Sequence, residues 1–181
     1  MPNLYLSPSV QYYNEYITGG DEEYHMNLIA DAMVPYLRAS AISFTRNDPG
    51  DTLAQIVERS NSGGHDFHLA LHSNAAPEHL AGILRGPDVY YYAYSSSGEA
   101  AAHIFTNNLK TIYPDPSLAA TIPNATLAEL QKTRATALLA EIAYHDNYAD
   151  ATWMINHSNS IAKNLVLSLT EYFKIPFVNP Y

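Results

Sequence analysis

Cysteine is absent from this sequence, which removes disulfides, thiolate catalysis and the Cys-rich zinc modules together. Any metal must therefore rest on imidazole, carboxylate or amide oxygen. Basic residues are scarce as well: 9 Lys and Arg stand against 18 Asp and Glu, for a formal net charge of −9. That balance argues against a phosphate-backbone partner, so no nucleic acid is expected, and it disfavours an anionic membrane surface. No run approaches the roughly eighteen consecutive apolar residues of a membrane span, so no membrane insertion is expected. Met1-Pro2-Asn3-Leu4-Tyr5 has neither the basic start nor the apolar stretch of a secretory signal. No internal repeat, low-complexity tract or shift in composition marks a domain boundary. What is present, 181 residues of which 47% are hydrophobic, suffices for one sizeable core.

The pattern along the chain alternates strand and helix. Asn3 to Ser7 reads as a short strand running into Pro8. Asp21 offers an N-cap, and Met26, Ile29, Ala30, Met33 and Leu37 recur at helical spacing, which predicts a helix over 22–38. Ala41 to Phe44 reads as a strand and Asp51 to Arg59 as a helix. Phe67, Leu69 and Leu71 alternate with His68, Ala70 and His72, the period of a strand that ends near His72. Further strand is expected within 82–94 and a helix over 98–112. The segment 113–126, with Pro114, Pro116 and Pro123, reads as an ordered loop. Thr136 to Ala143 is an apolar run broken only by Glu141, and two helices, over 148–156 and 158–173, close the chain. The expected fold is a single α/β domain of 181 residues, with a mixed, mostly parallel twisted sheet covered by helices on both faces.

In such sheets, sites lie beyond the carboxyl ends of the strands. Three clusters fall there: Ser7-Pro8-Ser9-Val10-Gln11, Leu71-His72-Ser73-Asn74-Ala75 and Leu139-Ala140-Glu141-Ile142-Ala143. A carboxylate inside the last run would be partly desolvated, which raises its pKa and suits a general base; its alternative is a strand Glu facing solvent or a cation. His72 is either a metal ligand or a satisfied structural histidine. Glu23 lies in the first turn of the opening helix, where negative charge is favoured with or without a metal. Tyr90, Tyr91, Tyr92 and Tyr94 either line a carbohydrate or peptide groove or simply alternate between core and water.

In order and spacing these clusters resemble the zinc-dependent N-acetylmuramoyl-L-alanine amidases of the type 3 family, over nearly the whole chain. Ala70-Leu71-His72-Ser73-Asn74-Ala75 is similar to that family's Ser-Leu-His-x-Asn-Ala segment, and Leu138-Leu139-Ala140-Glu141 with Asn147 to its Leu-Val-Glu segment. Glu23, followed by Met26, Leu28 and Ala30, resembles the ligand that opens the family's first helix. The resemblance implies zinc as cofactor, peptidoglycan or a muropeptide as partner, and hydrolysis of the amide between N-acetylmuramic acid and L-alanine. It implies action on the cell wall, either extracellular or after release from the cytoplasm. Glu141 would be the catalytic base, Glu23 and His72 metal ligands, and Asn74 and His145 substrate-binding groups.

The departure is at the first cluster, where Ser7-Pro8-Ser9 stands in place of the family's Asp-Pro-Gly and no histidine follows. Gln11 is assigned as the third ligand through its amide oxygen, a poorer zinc ligand than imidazole, while Val10 is expected to pack underneath. His25 points away from Glu23 on the helix, and His68 lies roughly 13 Å below His72 at about 3.3 Å per residue. The alternative implied by a missing ligand is a non-catalytic peptidoglycan binder with a degenerate site.

Overall fold

The structure, a computed structural model, describes Met1–Tyr181. Its centre is a six-stranded sheet of strands β1 (Asn3–Pro8), β2 (Ser43–Arg46), β3 (Phe67–Asn74), β4 (Asp88–Tyr92), β5 (Ala120–Asn124) and β6 (Thr136–Tyr144). The spatial order is β2-β1-β3-β6-β4-β5. β1 runs parallel to β2 and β3, β3 parallel to β6, and β4 parallel to β5, while β4 is antiparallel to β6. The sheet is thus mixed and mostly parallel, as the alternation of elements predicts.

Alternation across the pleat sorts the side chains into two unequal faces. Leu4, Leu6, Phe67, Leu69, Leu71, Leu138, Ala140 and Ile142 belong to the main core of 32 buried residues. That face is covered by α1 (Glu22–Ala39), α3 (Ser96–Leu109) and α6 (Ser158–Phe173), with α5 (Tyr148–Asn156) at its margin. The opposite face carries Ala70, Ala137 and Leu139, which with Leu130 form a core of only 4 buried residues. Its cover is thin: α2 (Leu53–Ser62) and the single turn α4 (Ala128–Gln131). Tyr5, Ser7, His68, His72 and Glu141 alternate onto this thin face; the first three are buried beneath its cover, while His72 and Glu141 border open space.

The helices start where the chain supplies caps. Asp21 accepts from Tyr24 N at 2.8 Å to open α1, and Thr52 with Gln55 forms a capping box on α2. The segment read as a loop over 113–126 holds a strand instead, β5. Its prolines mislead because β5 is an edge strand, paired on one side only, and an edge tolerates Pro123. The strand expected within 82–94 is confined to β4, and a 3-10 turn and loop precede it. That loop is held by Asp150, fully buried, which accepts from Gly86 N at 2.8 Å, Tyr113 Oη at 2.5 Å and Tyr144 N at 3.1 Å. Gly86 sits at φ +103, where a Cβ would lie 2.6 Å from the Leu118 carbonyl oxygen, so no larger residue fits.

Candidate active site

β3 and β6 are paired in register, with Ala70 beside Leu139 and His72 beside Glu141. Residues opposite one another in a parallel pair share a face, so the imidazole and the carboxylate stand together at the carboxyl ends of two central strands.

His72 is ringed by acids. Its Nδ1 lies 2.8 Å from Glu22 Oε1 and its Nε2 lies 3.6 Å from Glu129 Oε1. Burial alone would pull its pKa down, but the contacts with Glu129 and Glu22 and the charge of Glu141 outweigh this and hold it well above the ordinary histidine value. The reciprocal effect appears on the carboxylates. Burial would raise Glu22 and Glu129, yet hydrogen bonds from His72 and Asn14 keep Glu22 low, and those from His68 and His72 keep Glu129 well below the usual carboxylate range.

Glu141 has no such compensation. Burial pushes its pKa up to about 7; His72 draws it down, while Glu22 and Asp88 push it further up. Its Oε2 is buried and has no hydrogen-bond partner. A carboxylate poised near neutrality with a free lone pair is suited to taking a proton from water and returning it.

The helix carboxylate that meets His72 is Glu22, not Glu23. Glu22 lies four residues before Met26 and therefore extends the buried stripe Met26-Ile29-Met33 towards the sheet, whereas Glu23 is turned by about 100° from it. Glu22 is 1% exposed; Glu23 is half-buried and makes no side-chain bond to the site. Asn14 Nδ2 clamps the pair, donating to Glu22 Oε2 at 2.6 Å and to Gln11 Oε1 at 2.9 Å. Gln11 in turn brings its amide to His72, with Nε2 3.4 Å from Nδ1. Val10 does not pack underneath. It is partly exposed and walls the cleft, because the backbone leaves the sheet at Pro8 and no longer alternates.

The cleft above these residues has two lobes, of about 280 and 170 Å³, both bordered by Gln11, Leu53, His72 and Glu129. The smaller also reaches Glu141. Asn74 turns to β4, donating to Asp88 Oδ2 at 3.3 Å, where Tyr144 Oη also donates. His145 borders neither lobe. It is 5% exposed, its Nδ1 sits 3.1 Å from Ser73 Oγ, and its ring stacks on Tyr16 at 5.4 Å. It braces the strand end, because the turn after β6 folds back under the Tyr16 loop instead of opening to the cleft. His25 is occupied too, with Nε2 3.0 Å from the Gly19 carbonyl.

Sequence reasoning missed Glu129 altogether. Its signal was a lone acid inside Leu127-Ala128-Glu129-Leu130, beyond the end of an expected loop. It also set His68 aside on distance, and the two histidines do not share a ligand position. Glu129 nevertheless touches both, with Oε2 2.8 Å from His68 Nε2.

For a divalent metal, the donors that converge on Nδ1 of His72 are that nitrogen, the Glu22 carboxylate and the Gln11 amide. As arranged they hold one another: Nδ1 meets the Glu22 carboxylate at 2.8 Å and the Gln11 oxygen accepts from Asn14 at 2.9 Å, so the set would have to open to take a cation. No group of three or more His, Cys, Asp or Glu is placed to hold one, so the set is weaker than the usual three strong zinc ligands.

A desolvated carboxylate beside an imidazole, at the carboxyl end of a mostly parallel sheet, is equipment for hydrolysis. A family model described as N-acetylmuramoyl-L-alanine amidase matches residues 14–171, and the chain belongs to that family. By family it is a peptidoglycan hydrolase. The fold is also that of solved amidases. N-acetylmuramoyl-L-alanine amidase AmiC2 of Nostoc punctiforme superposes with a TM-score of 0.82 at 17% identity, covering 96% of this chain and 97% of that one. The catalytic domain of CwlV, an N-acetylmuramoyl-L-alanine amidase from Bacillus (Paenibacillus) polymyxa var. colistinus, gives 0.82 at 16%, covering 97% and 100%. The catalytic domain of the CD27L endolysin, targeting Clostridia difficile, gives 0.78 at 20%, covering 99% and 100%. No curated protein sequence matches significantly. No helix is long and apolar enough to cross a membrane.

Proposed function

We propose that this chain hydrolyses the amide between the lactyl group of N-acetylmuramic acid and L-alanine with Glu141 as general base and His72, Glu22 and Gln11 as ligands of a zinc ion. The observation that carries the reading is the unpartnered, desolvated Glu141 carboxylate in register with His72. A zinc ion held by these residues would supply Lewis acidity to the scissile carbonyl and to water.

Glu141 removes a proton from the attacking water, whose oxygen bonds to the carbonyl carbon. It then returns the proton to the departing nitrogen of L-alanine as the C–N bond breaks. The products are a lactyl carboxylate and a free amine. Glu22, buried and tied by Asn14, fixes the imidazole and contributes the anionic ligand. Asn74, at the edge of the same strand end, is proposed to meet the substrate beside Asp88, whereas His145 serves by bracing Ser73.

The test is hydrolysis of intact peptidoglycan with zinc added to chelator-treated protein, read as new L-alanine amino termini. Wild type should release them and Glu141→Gln should lose about 10²–10⁴-fold in rate. Release of amino termini by Glu141→Gln at the wild-type rate removes Glu141 from the reaction.

A further inference from the structure

The leaving group of the proposed reaction is a peptide, and the lobe that reaches Glu141 has room only for its beginning. That lobe is about 170 Å³, and its apolar lining is Leu53, Leu127, Ala128 and Leu139. Glu141 returns its proton to the departing nitrogen, so L-alanine belongs in this lobe, where apolar side chains suit its methyl group.

Two of those residues also wall a second space. Leu53 and Ala128, with Ala54, Val57 and Lys132, line an open groove of about 440 Å³ between α2 and α4. The groove therefore continues the cleft over a shared rim. Leu53 and Val57 stand one turn apart on α2 and fall on one flank of it. Leu53 is 49% exposed, although it is large and apolar. The walls are fixed in place: Asn61, late in α2, donates to the Lys132 carbonyl at 2.8 Å and accepts from Arg134 N at 2.7 Å.

A single charge stands in this apolar groove. Arg46, Arg59 and Arg85 are each paired with an aspartate, whereas Lys132 is exposed and belongs to none of the ion pairs. In a chain of net charge −9, a free cation beside the site favours an anionic group on the substrate. We propose that the groove receives the stem peptide beyond L-alanine and that Lys132 pairs with a carboxylate of that peptide. The proposal rests on the reaction read above through Glu141 alone and uses no metal. It gives the substrate a direction: the peptide passes over Leu53 and Ala128 towards Lys132, and the larger lobe, with Ser7, Ser9, Tyr13 and Thr52 in its lining, is left to the sugar.

The test uses wild type, Lys132→Ala, Lys132→Arg and Ala54→Asp. Ala54 lies in the first turn of α2, where an acid is favoured, so that variant sets a negative charge in the groove without cost to the helix. The substrates are N-acetylmuramoyl-L-alanine amide, an N-acetylmuramoyl tripeptide in which glutamate and lysine follow L-alanine, and the same tripeptide with its carboxyls amidated. KM and kcat are measured for each, and the free tripeptide is titrated into each protein by calorimetry. Wild type should prefer the carboxylate tripeptide to its amidated form, through KM. Lys132→Ala should reduce that preference, and weaken tripeptide binding, about two- to fivefold, the range of an exposed ion pair. Ala54→Asp should weaken both in the same direction, Lys132→Arg should retain both, and added salt should narrow the difference between wild type and Lys132→Ala.

A preference and a tripeptide Kd that Lys132→Ala leaves unchanged overturn the proposal. Equal losses on all the substrates also overturn it and make Lys132 a structural residue. A wild type that binds the tripeptide through Lys132 but hydrolyses nothing upholds the groove and overturns the reaction. A wild type that neither binds the tripeptide nor prefers carboxylate to amide overturns the groove, whatever its rate of hydrolysis.

Discussion

His72 and Glu141 occupy paired positions on two central parallel strands, and their environments push them in opposite directions: the imidazole is held cationic by Glu22 and Glu129, while the carboxylate is held towards neutrality by burial. The difference follows from where the acids sit. Glu22 and Glu129 approach the imidazole at hydrogen-bond or ion-pair range, whereas Glu141 has an oxygen with no donor at all. Such divergence between neighbouring groups leaves one that keeps its proton and one able to take a proton near neutrality.

This divergence gives a stability test in the metal-free protein. The Glu141 carboxyl has its folded-state pKa raised from 4.5 to about 7, so the folded state favours the protonated form. Its contribution is present below the unfolded value and is lost as pH rises from about 4.5 to about 7. Glu141→Gln removes that penalty. In chelator, urea denaturation should show the variant within about 1 kcal/mol of wild type at about pH 5 and more stable by roughly 3 kcal/mol at about pH 8. A gap that does not widen with pH means the carboxylate finds a partner when ionised.

The two neighbouring helix acids separate cleanly. Glu22→Ala leaves the buried His72 imidazole without its closest partner and should cost about 3–5 kcal/mol, with a large loss of zinc affinity. Glu23→Ala, turned off the buried stripe, should change either by less than about 0.5 kcal/mol. Thermal denaturation and zinc titration of both variants decide the assignment, and loss of zinc only with Glu23→Ala reverses it.

Much of the fold was legible because hydrophobic period is a strong signal. The stripe Met26, Ile29, Met33 and Leu37 and the alternation of 67–72 mark α1 and β3, and the meeting of His72 and Glu141 follows from their place at strand ends. β5 was not legible, since proline punctuates it and only its edge position makes proline harmless. Glu22 lost to Glu23 because motif spacing was weighed above the helix stripe, which already assigns Glu22 to the buried face. Glu129 and His68 could not be joined from sequence, because their contact crosses from a helical turn to a strand far earlier in the chain. His145 reads as a substrate-binding group because nothing local reveals that Tyr16 closes over it.

Asp150 provides a prediction about the frame rather than the chemistry. It ties Gly86, Tyr113 and Tyr144 together while fully buried. Asp150→Ala should leave those donors unsatisfied and cost about 3 kcal/mol or more, seen as a lower Tm. A Tm within a degree or so of wild type would mean that the loop before β4 repacks without it.

The loop after β1 carries the sharpest test, because there the chain departs from its family. Gln11 is the side chain that reaches Nδ1 of His72, and Asn14 already holds its other end. A histidine at the same position is shorter but places a ring nitrogen near the Gln11 amide, which converts one imidazole, one carboxylate and one amide into two imidazoles and a carboxylate. That is a regular catalytic zinc set. Gln11→His should therefore tighten zinc by at least about tenfold, 1.4 kcal/mol. Val10→His should not, since Val10 forms cleft wall and makes no approach to His72. Asn14 loses its Gln11 acceptor in the first variant but keeps Glu22, so the loop should stay ordered. The measurement is zinc titration of metal-free wild type and both variants, followed by amide hydrolysis with zinc in excess. Tightening by Val10→His alone would mean that the loop places its donor one residue earlier than Gln11. No tightening by either, with a wild type that already binds zinc firmly, would mean that a group other than Gln11 completes the site.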